Sequence, residues 1–332
     1  MKVLLDKNKR FYKANLHSHS TQSDGKWSIE KIKEEYKKQG YSIVAFTDHE
    51  HLINNSELND KDFLALVGTE LAIKEFPSVS TMAKFDMKVA HLNAYAIDQK
   101  EEISPCYQRE YDRHTTPEIL AITKYDGEYK REYSAKGIND IIKICHEKGF
   151  LVSYNHPSWS LEDASDYLNY NGVDFVEIYN GSCSQDAHCD DEHVFADMLR
   201  HGKRVFCSCA DDNHNKGGYN DSFKGWVNIN ADSLNYGTII NALKSGDFYA
   251  STGPEIYSLT FEDNKVKIET SPVKEIGLAT KGRRAPTIHA NDGEFVTSAE
   301  FDIREDDGFF RLRIEDDKGK RAYTQAYPVK EI

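Results

Sequence analysis

The sequence has no apolar run approaching the ~20 residues that cross a bilayer. Its start, Met1 to Arg10, interrupts a short apolar stretch with Lys2, Asp6, Lys7, Lys9 and Arg10, unlike a secretory signal. These absences predict a cytoplasmic chain with no membrane partner. Positive charge is also short: 42 Lys and Arg against 55 Asp and Glu leave a formal net charge of -13. Long nucleic acids are held by Lys and Arg that release counterions, so that partner is disfavoured. Bound divalent cations can still make a site locally positive on an acidic surface. Six cysteines in a chain this long, without a secretory signal, do not make a disulfide framework, and no C-x-x-C pair gives the usual zinc spacing. Cys207 and Cys209, inside the apolar run Val205 to Ala210, read as buried thiols, and Cys183 and Cys189 near His188 and His193 make no recognisable zinc motif.

What is present is an ordinary globular composition, 39% hydrophobic and 29% charged over 332 residues, enough for one large or two smaller domains. From about residue 10 to 250, short apolar runs alternate with amphipathic stretches. Strands are predicted at 10–16, 41–46, 63–67, 89–97, 150–154, 174–179 and 204–210, with helices after Ser28, over 138–148 and near 191–201. Strands separated by helical segments imply βα units and a parallel sheet, closed or nearly so. Residues 98–135 form a polar insert. Beyond Pro254, alternating segments such as Ile256–Phe261, Lys265–Glu269 and Phe309–Ile314, separated by turn residues, predict a small antiparallel, sandwich-like β domain over 255–332 after a hydrolase barrel over 1–254.

The informative feature is where His, Asp and Glu fall. His17 and His19 close the first strand, with Asp24 following; His49 closes the second and Glu70 the third; His91 is on the next, His156 closes the one after, and Asp212 and His214 close the last. Residues two apart in extended chain project to the same side, so His17 with His19, and Asp212 with His214, can each present a pair of ligands. Parallel β/α folds place active sites at the carboxyl ends of their strands. So many acids and imidazoles at one rim would repel or pay desolvation unless cations neutralise them, which predicts a multinuclear metal site. Mixed imidazole and carboxylate ligands suit zinc, manganese or iron. Asp211 and Asp48 should point away from the cluster and support it.

These motifs resemble the polymerase and histidinol phosphatase (PHP) family of metal-dependent phosphoesterases, over residues 14 to about 215. The resemblance implies a distorted barrel of seven β/α units holding three metals. By motif, the first metal would take His17, His19, Glu70 and Asp212; the second Glu70 as a bridge, His91 and His156; the third Asp24, His49 and His214. Glu177 to Asn180, Lys224 to Trp226 and Gly246 to Pro254 resemble a branch with a small C-terminal β domain, part of which is similar to carbamate- and ester-cleaving hydrolases.

The activity this implies is hydrolysis of a small phosphate monoester, a nucleotide or sugar phosphate, by a hydroxide bridging two metals. His156 or His214 could protonate the leaving alkoxide, and Arg109, Arg113 or Lys224 could hold the phosphate. The same cations could instead cleave a carboxylic ester, carbamate or amide. A non-catalytic metal-binding module is the third reading; lost ligands would be its signature, and every position is filled.

Overall fold

Ser28 caps the first helix: its side chain accepts from the Lys31 N–H, and Ile32 and Tyr36, one turn apart, are buried beneath α1 (Ile29–Lys38). This structure, a computed structural model, describes residues 1–112 and 115–332. Around α1 run β1 (Lys2–Leu5), β2 (Arg10–Asn15), β3 (Ile43–Phe46), β4 (Leu64–Lys74) and β5 (Val89–Ala96). Within the polar insert lie the short parallel pair β6 (Ile103–Ser104) and β7 (Lys124–Tyr125) and the short helix α2 (Pro117–Ile122). Ser134 caps α3 (Ala135–Glu147), which buries Ile138, Ile141, Ile142 and Cys145 along one stripe and ends before Gly149. There follow β8 (Phe150–Tyr154), α4 (Ala164–Tyr167), β9 (Phe175–Asn180), α5 (Glu192–Arg200), β10 (Phe206–Ala210), β11 (Trp226–Ala231), α6 (Tyr236–Ser245) and β12 (Phe248–Ser251). The last part holds β13 (Ile256–Glu262), β14 (Lys265–Val273), β15 (Glu275–Thr280), β16 (Thr287–His289), β17 (Val296–Asp302), β18 (Phe309–Glu315) and β19 (Arg321–Tyr323). Among the described residues no helix is long and apolar enough to cross a membrane.

The fold is mixed α/β. One long sheet runs in the order β10-β9-β8-β5-β4-β3-β2-β11-β12-β19-β18-β15-β16. It is parallel through β10-β9-β8 and through β4-β3-β2. β5 departs from the predicted parallel sheet, pairing antiparallel with both β4 and β8. The connection explains it: no α-helix lies in residues 75–88 between β4 and β5, and a parallel return requires a crossover of that kind. β4 also runs past its predicted end, so Glu70 sits inside the strand. Beyond the ends of β2 and β10 the chain closes a further parallel bridge, Ser18 with Asn213, in which His19 N–H donates to Asn213 O and Asp212 N–H to His17 O.

One apolar core packs α3, α5 and α6 on the sheet through Ile138, Ile142, Phe175, Phe195, Ile239 and Phe248. A second core, including Leu5, Ile256, Leu259, Ile268, Leu278 and Leu312, joins β15 and β18 to a separate antiparallel sheet in the order β1-β13-β14-β17. β1 comes from the start of the chain and β12 supplies Tyr249, so this core draws on strands from outside the predicted 255–332 segment.

Candidate metal centre

The strand ends deliver their polar side chains to one place. Asn15, the last residue of β2, aligns two of them: its Nδ2 donates to His17 O and to Asn213 Oδ1, and its Oδ1 accepts from Asp211 N–H. The segments after β2 and β10 are thereby fixed side by side. Glu70 and His91 sit near each other because β4 and β5 pair with Ala72 opposite His91. His156 and Asp212 take left-handed backbone conformations, φ 29° and 53°, at a cost of order 1–3 kcal/mol each that the surrounding hydrogen bonds must offset.

Glu70 is the hub. Its carboxylate lies 3.2 Å from His17 Nε2, 3.4 Å from His19 Nε2, 2.9 Å from His49 Nδ1, 3.1 Å from His91 Nδ1 and 3.4 Å from His156 Nε2. Asp212 Oδ1 lies 3.2 Å from His17 Nε2 and 2.9 Å from His19 Nε2. Asp24 Oδ1 lies 3.3 Å from His214 Nε2 and 3.7 Å from His49 Nε2. All nine residues singled out in the sequence are thus assembled. Three groupings present donor atoms close enough to share an ion: His19, Asp24, His49 and His214; His17, Glu70 and His156; His17, His19 and Asp212.

The donor chemistry fits divalent cations. His17 Nε2 and His19 Nε2 face each other at 3.2 Å. His19 Nδ1, Asp24 Oδ1 and Asp212 Oδ1 are buried without a hydrogen-bond partner. Lone pairs converging at contact distance without hydrogen bonds cost free energy when buried, and a cation between them removes that cost. Burial, together with the neighbouring His214 and His49, pushes His19 down to about 3, which keeps its imidazole neutral. Burial also disfavours charge on His49, but Glu70 and Asp24 outweigh it and raise His49 to about 9. For Glu70, burial is overcome by His91, His17 and His49, which hold its carboxyl well below the usual range.

Surrounding groups fix the cluster. Glu177 on β9 accepts at 3.1 Å from both His17 Nδ1 and the His156 N–H, and at 2.7 Å from Asn180 Nδ2. Asn155 Nδ2 donates to Glu70 Oε1. Asp48 accepts from Ser20 N–H, Ser20 Oγ and Ser23 Oγ, which shapes the turn that carries Asp24. Asp211 points away from its neighbour and accepts from Tyr36 Oη and the N–H groups of Phe223, Lys224 and Gly225; burial pushes its carboxyl up to about 6.

A cavity of about 520 Å³ opens over the cluster. Of the residues expected to hold substrate, Lys224 and Arg109 do not line it. The Lys224 ammonium lies over the Tyr219 ring, 4.8 Å from its centroid, because Asp211 pins the Lys224 backbone. Arg109 stands exposed on a single turn of 3-10 helix in the insert. Arg113 lies outside the described residues. The cavity instead receives Lys74 and Lys216, the latter 2.6 Å from Asp24 Oδ2, with Tyr111, Trp159 and Tyr219.

A family profile described as PHP domain matches residues 15–191. No protein of curated function matches the sequence. Among solved structures, the chain is similar to a two-domain protein from Bacteroides vulgatus containing a predicted PHP-like metal-dependent phosphoesterase: 13% identity, 97% of this chain and 96% of that one, TM-score 0.45. It is also similar to an amidohydrolase from Chromobacterium violaceum (16% identity, 60% and 87% covered, TM-score 0.39). A third is a lesion-specific endonuclease from Pyrococcus furiosus (13% identity, 71% and 56% covered, TM-score 0.42).

Proposed function

The chain belongs to the PHP domain family, and from that premise we propose that it is a metal-dependent hydrolase cleaving a small phosphate monoester, a nucleotide or sugar phosphate. The observation that carries the reading is the Glu70 carboxylate within 3.4 Å of five imidazoles. We read His17, His19, Glu70 and Asp212 as holding one ion, Glu70, His91 and His156 a second, and Asp24, His49 and His214 a third, with zinc, manganese or iron as the candidates. We further read the parallel and antiparallel strands of residues 1–254 as a distorted barrel of seven β/α units, and residues 255–332, with β1 added, as a β-sandwich-like domain.

Divalent ions held there would supply an acidified water and would neutralise charge on the phosphoryl oxygens. The protein's part is geometric and electrostatic. Glu177 holds His17 by its Nδ1 and the loop carrying His156 by its backbone, so both imidazoles keep fixed directions. His156 and His214 line the cavity, and whichever of them is not holding an ion through Nε2 can pass a proton to the leaving oxygen as the phosphorus–oxygen bond breaks. Water adds to phosphorus, and the products are inorganic phosphate and an alcohol. A cavity of about 520 Å³ suits a small molecule better than a duplex.

The test is a panel of nucleotide, sugar and aryl phosphates beside carboxylic esters, assayed on metal-loaded protein. Phosphate release that disappears in a His17→Ala, His19→Ala variant is expected. Ester cleavage without phosphate release would replace this reading with the carboxylic one.

A further inference from the structure

The lining of the cavity is mixed in character. Asp24, Asp186, Lys216 and Asp221 contribute charge. Trp159, beside His91 and His156, and Tyr111 contribute aromatic surface and pack with Ala72 and Val89 in a small apolar cluster of their own. The Trp159 ring meets His156 edge-on, centroids 5.0 Å apart at 81°, and lies 5.5 Å from His91. Phosphate and metal-binding groups gain nothing from an apolar wall at this distance, and a glycerol leaving group would leave it wet.

The wall is also held rigidly. Tyr111 Oη accepts from the Lys74 N–H, and the Arg131 guanidinium lies 4.8 Å from the centre of the Tyr111 ring. Arg131 is itself buried and tied to Glu50 through Nη1 at 2.9 Å and Nη2 at 2.6 Å, to Ala72 O at 2.8 Å and to Cys106 O. Trp159 is fixed from its other side, where Ser158 N–H donates to Asp191 Oδ2 and Ser160 N–H to His156 O. The insert 98–135 thus contributes one aromatic ring and the loop after β8 the other, both fixed before any ligand arrives.

We propose that Trp159, backed by the buried Tyr111, forms a stacking wall that selects phosphate esters whose leaving group bears a planar ring, an aryl group or a nucleobase. This rests on the phosphoesterase reading above and narrows it. A planar ring against an aromatic face gains dispersion and buries apolar surface that an aliphatic alcohol cannot.

The experiment compares kcat/KM of the metal-loaded full chain on p-nitrophenyl phosphate, a nucleoside monophosphate and glycerol phosphate, for the native protein and for Trp159→Leu, Trp159→Phe and Tyr111→Leu. Calorimetric binding of phenylphosphonate against methylphosphonate runs in parallel. The expected result is a preference of about tenfold or more for at least one ring-bearing ester and for phenylphosphonate, largely lost in Trp159→Leu and kept in Trp159→Phe. If only one ring-bearing ester is favoured, that one names the source of the ring. Equal turnover of all three esters overturns the proposal. So does a Trp159→Leu variant that slows all three by one factor, since Trp159 would then only brace His156. If no phosphate ester is cleaved, the phosphoesterase reading fails, and calorimetry still decides the wall: a ring preference lost in Trp159→Leu supports it, and equal binding of the two phosphonates ends it.

Discussion

Glu177 Oε1 lies 3.1 Å from His17 Nδ1, and this contact decides which face of His17 meets the cluster. With Nδ1–H donated to Glu177, the imidazole presents the lone pair of Nε2 toward Glu70 and Asp212. The same carboxylate accepts the His156 N–H, so one acid orients two imidazoles from different strands. Replacing Glu177 by Ala is expected to weaken metal binding about 10- to 100-fold while the fold survives. Competition with a fluorescent chelator measures it, with circular dichroism as the control; unchanged affinity would remove Glu177 from the account.

Metal removal should destabilise the protein. A ligand at a hundred times its dissociation constant adds about 2.7 kcal/mol to the folded state. A chelator is therefore expected to lower Tm by several degrees, and zinc or manganese to restore it. The shift should shrink markedly in Glu70→Gln, because Glu70 touches five of the imidazoles, while the ion read on Asp24, His49 and His214 does not use it. A chelator shift of equal size in that variant would mean the ions bind elsewhere.

The Glu50–Arg131 pair is fully buried and bidentate. Arg131→Met leaves Glu50 buried without its cationic partner, and is expected to cost about 3–5 kcal/mol in urea unfolding. Glu50→Gln added to Arg131→Met should recover part of that loss. A cost below about 1 kcal/mol for the single variant would show that water reaches the pair.

A pH signature is expected away from the cluster. His146 Nε2 lies 2.9 Å from Asp174 Oδ2, and that hydrogen bond, against a smaller effect of burial, raises the His146 pKa above 6.5. A pKa raised in the folded state contributes stability below the unfolded value, and that contribution is lost as pH rises through the folded one. The stability gap between the native protein and His146→Ala should therefore be larger at about pH 5.5 than at about pH 9, and small throughout because the pair is partly exposed. Urea midpoints at the two pH values test it; a gap that widens with pH would reverse the sign.

The metal-type residues were legible because strand ends carry the chemistry; the period of two of extended chain pairs His17 with His19, whereas Asp212 is left-handed at φ 53°, so its nearness to His214 does not come from that period. Glu177 gave a weaker signal, an acid within the apolar run Phe175 to Tyr179, and only its contact with His17 gives it a role. The direction of β5 was not legible, since alternation does not encode strand polarity and only the connection from β4 sets it. Trp159, Tyr111 and Lys74 come from a loop, an insert and a strand extension, and Arg131, an arginine in a polar stretch that reads as solvated but is buried, ties the insert with Tyr111 to β4 through Ala72 O. Sequence patterns report local periodicity, whereas those contacts depend on how the insert docks.

The most direct measurement is elemental analysis of the purified native chain beside Glu70→Gln. The account predicts two or three divalent transition-metal ions per native chain and a marked loss in the variant. Metal contents far below one per chain after growth and purification with added zinc, manganese and iron, or contents identical in both proteins, would contradict it.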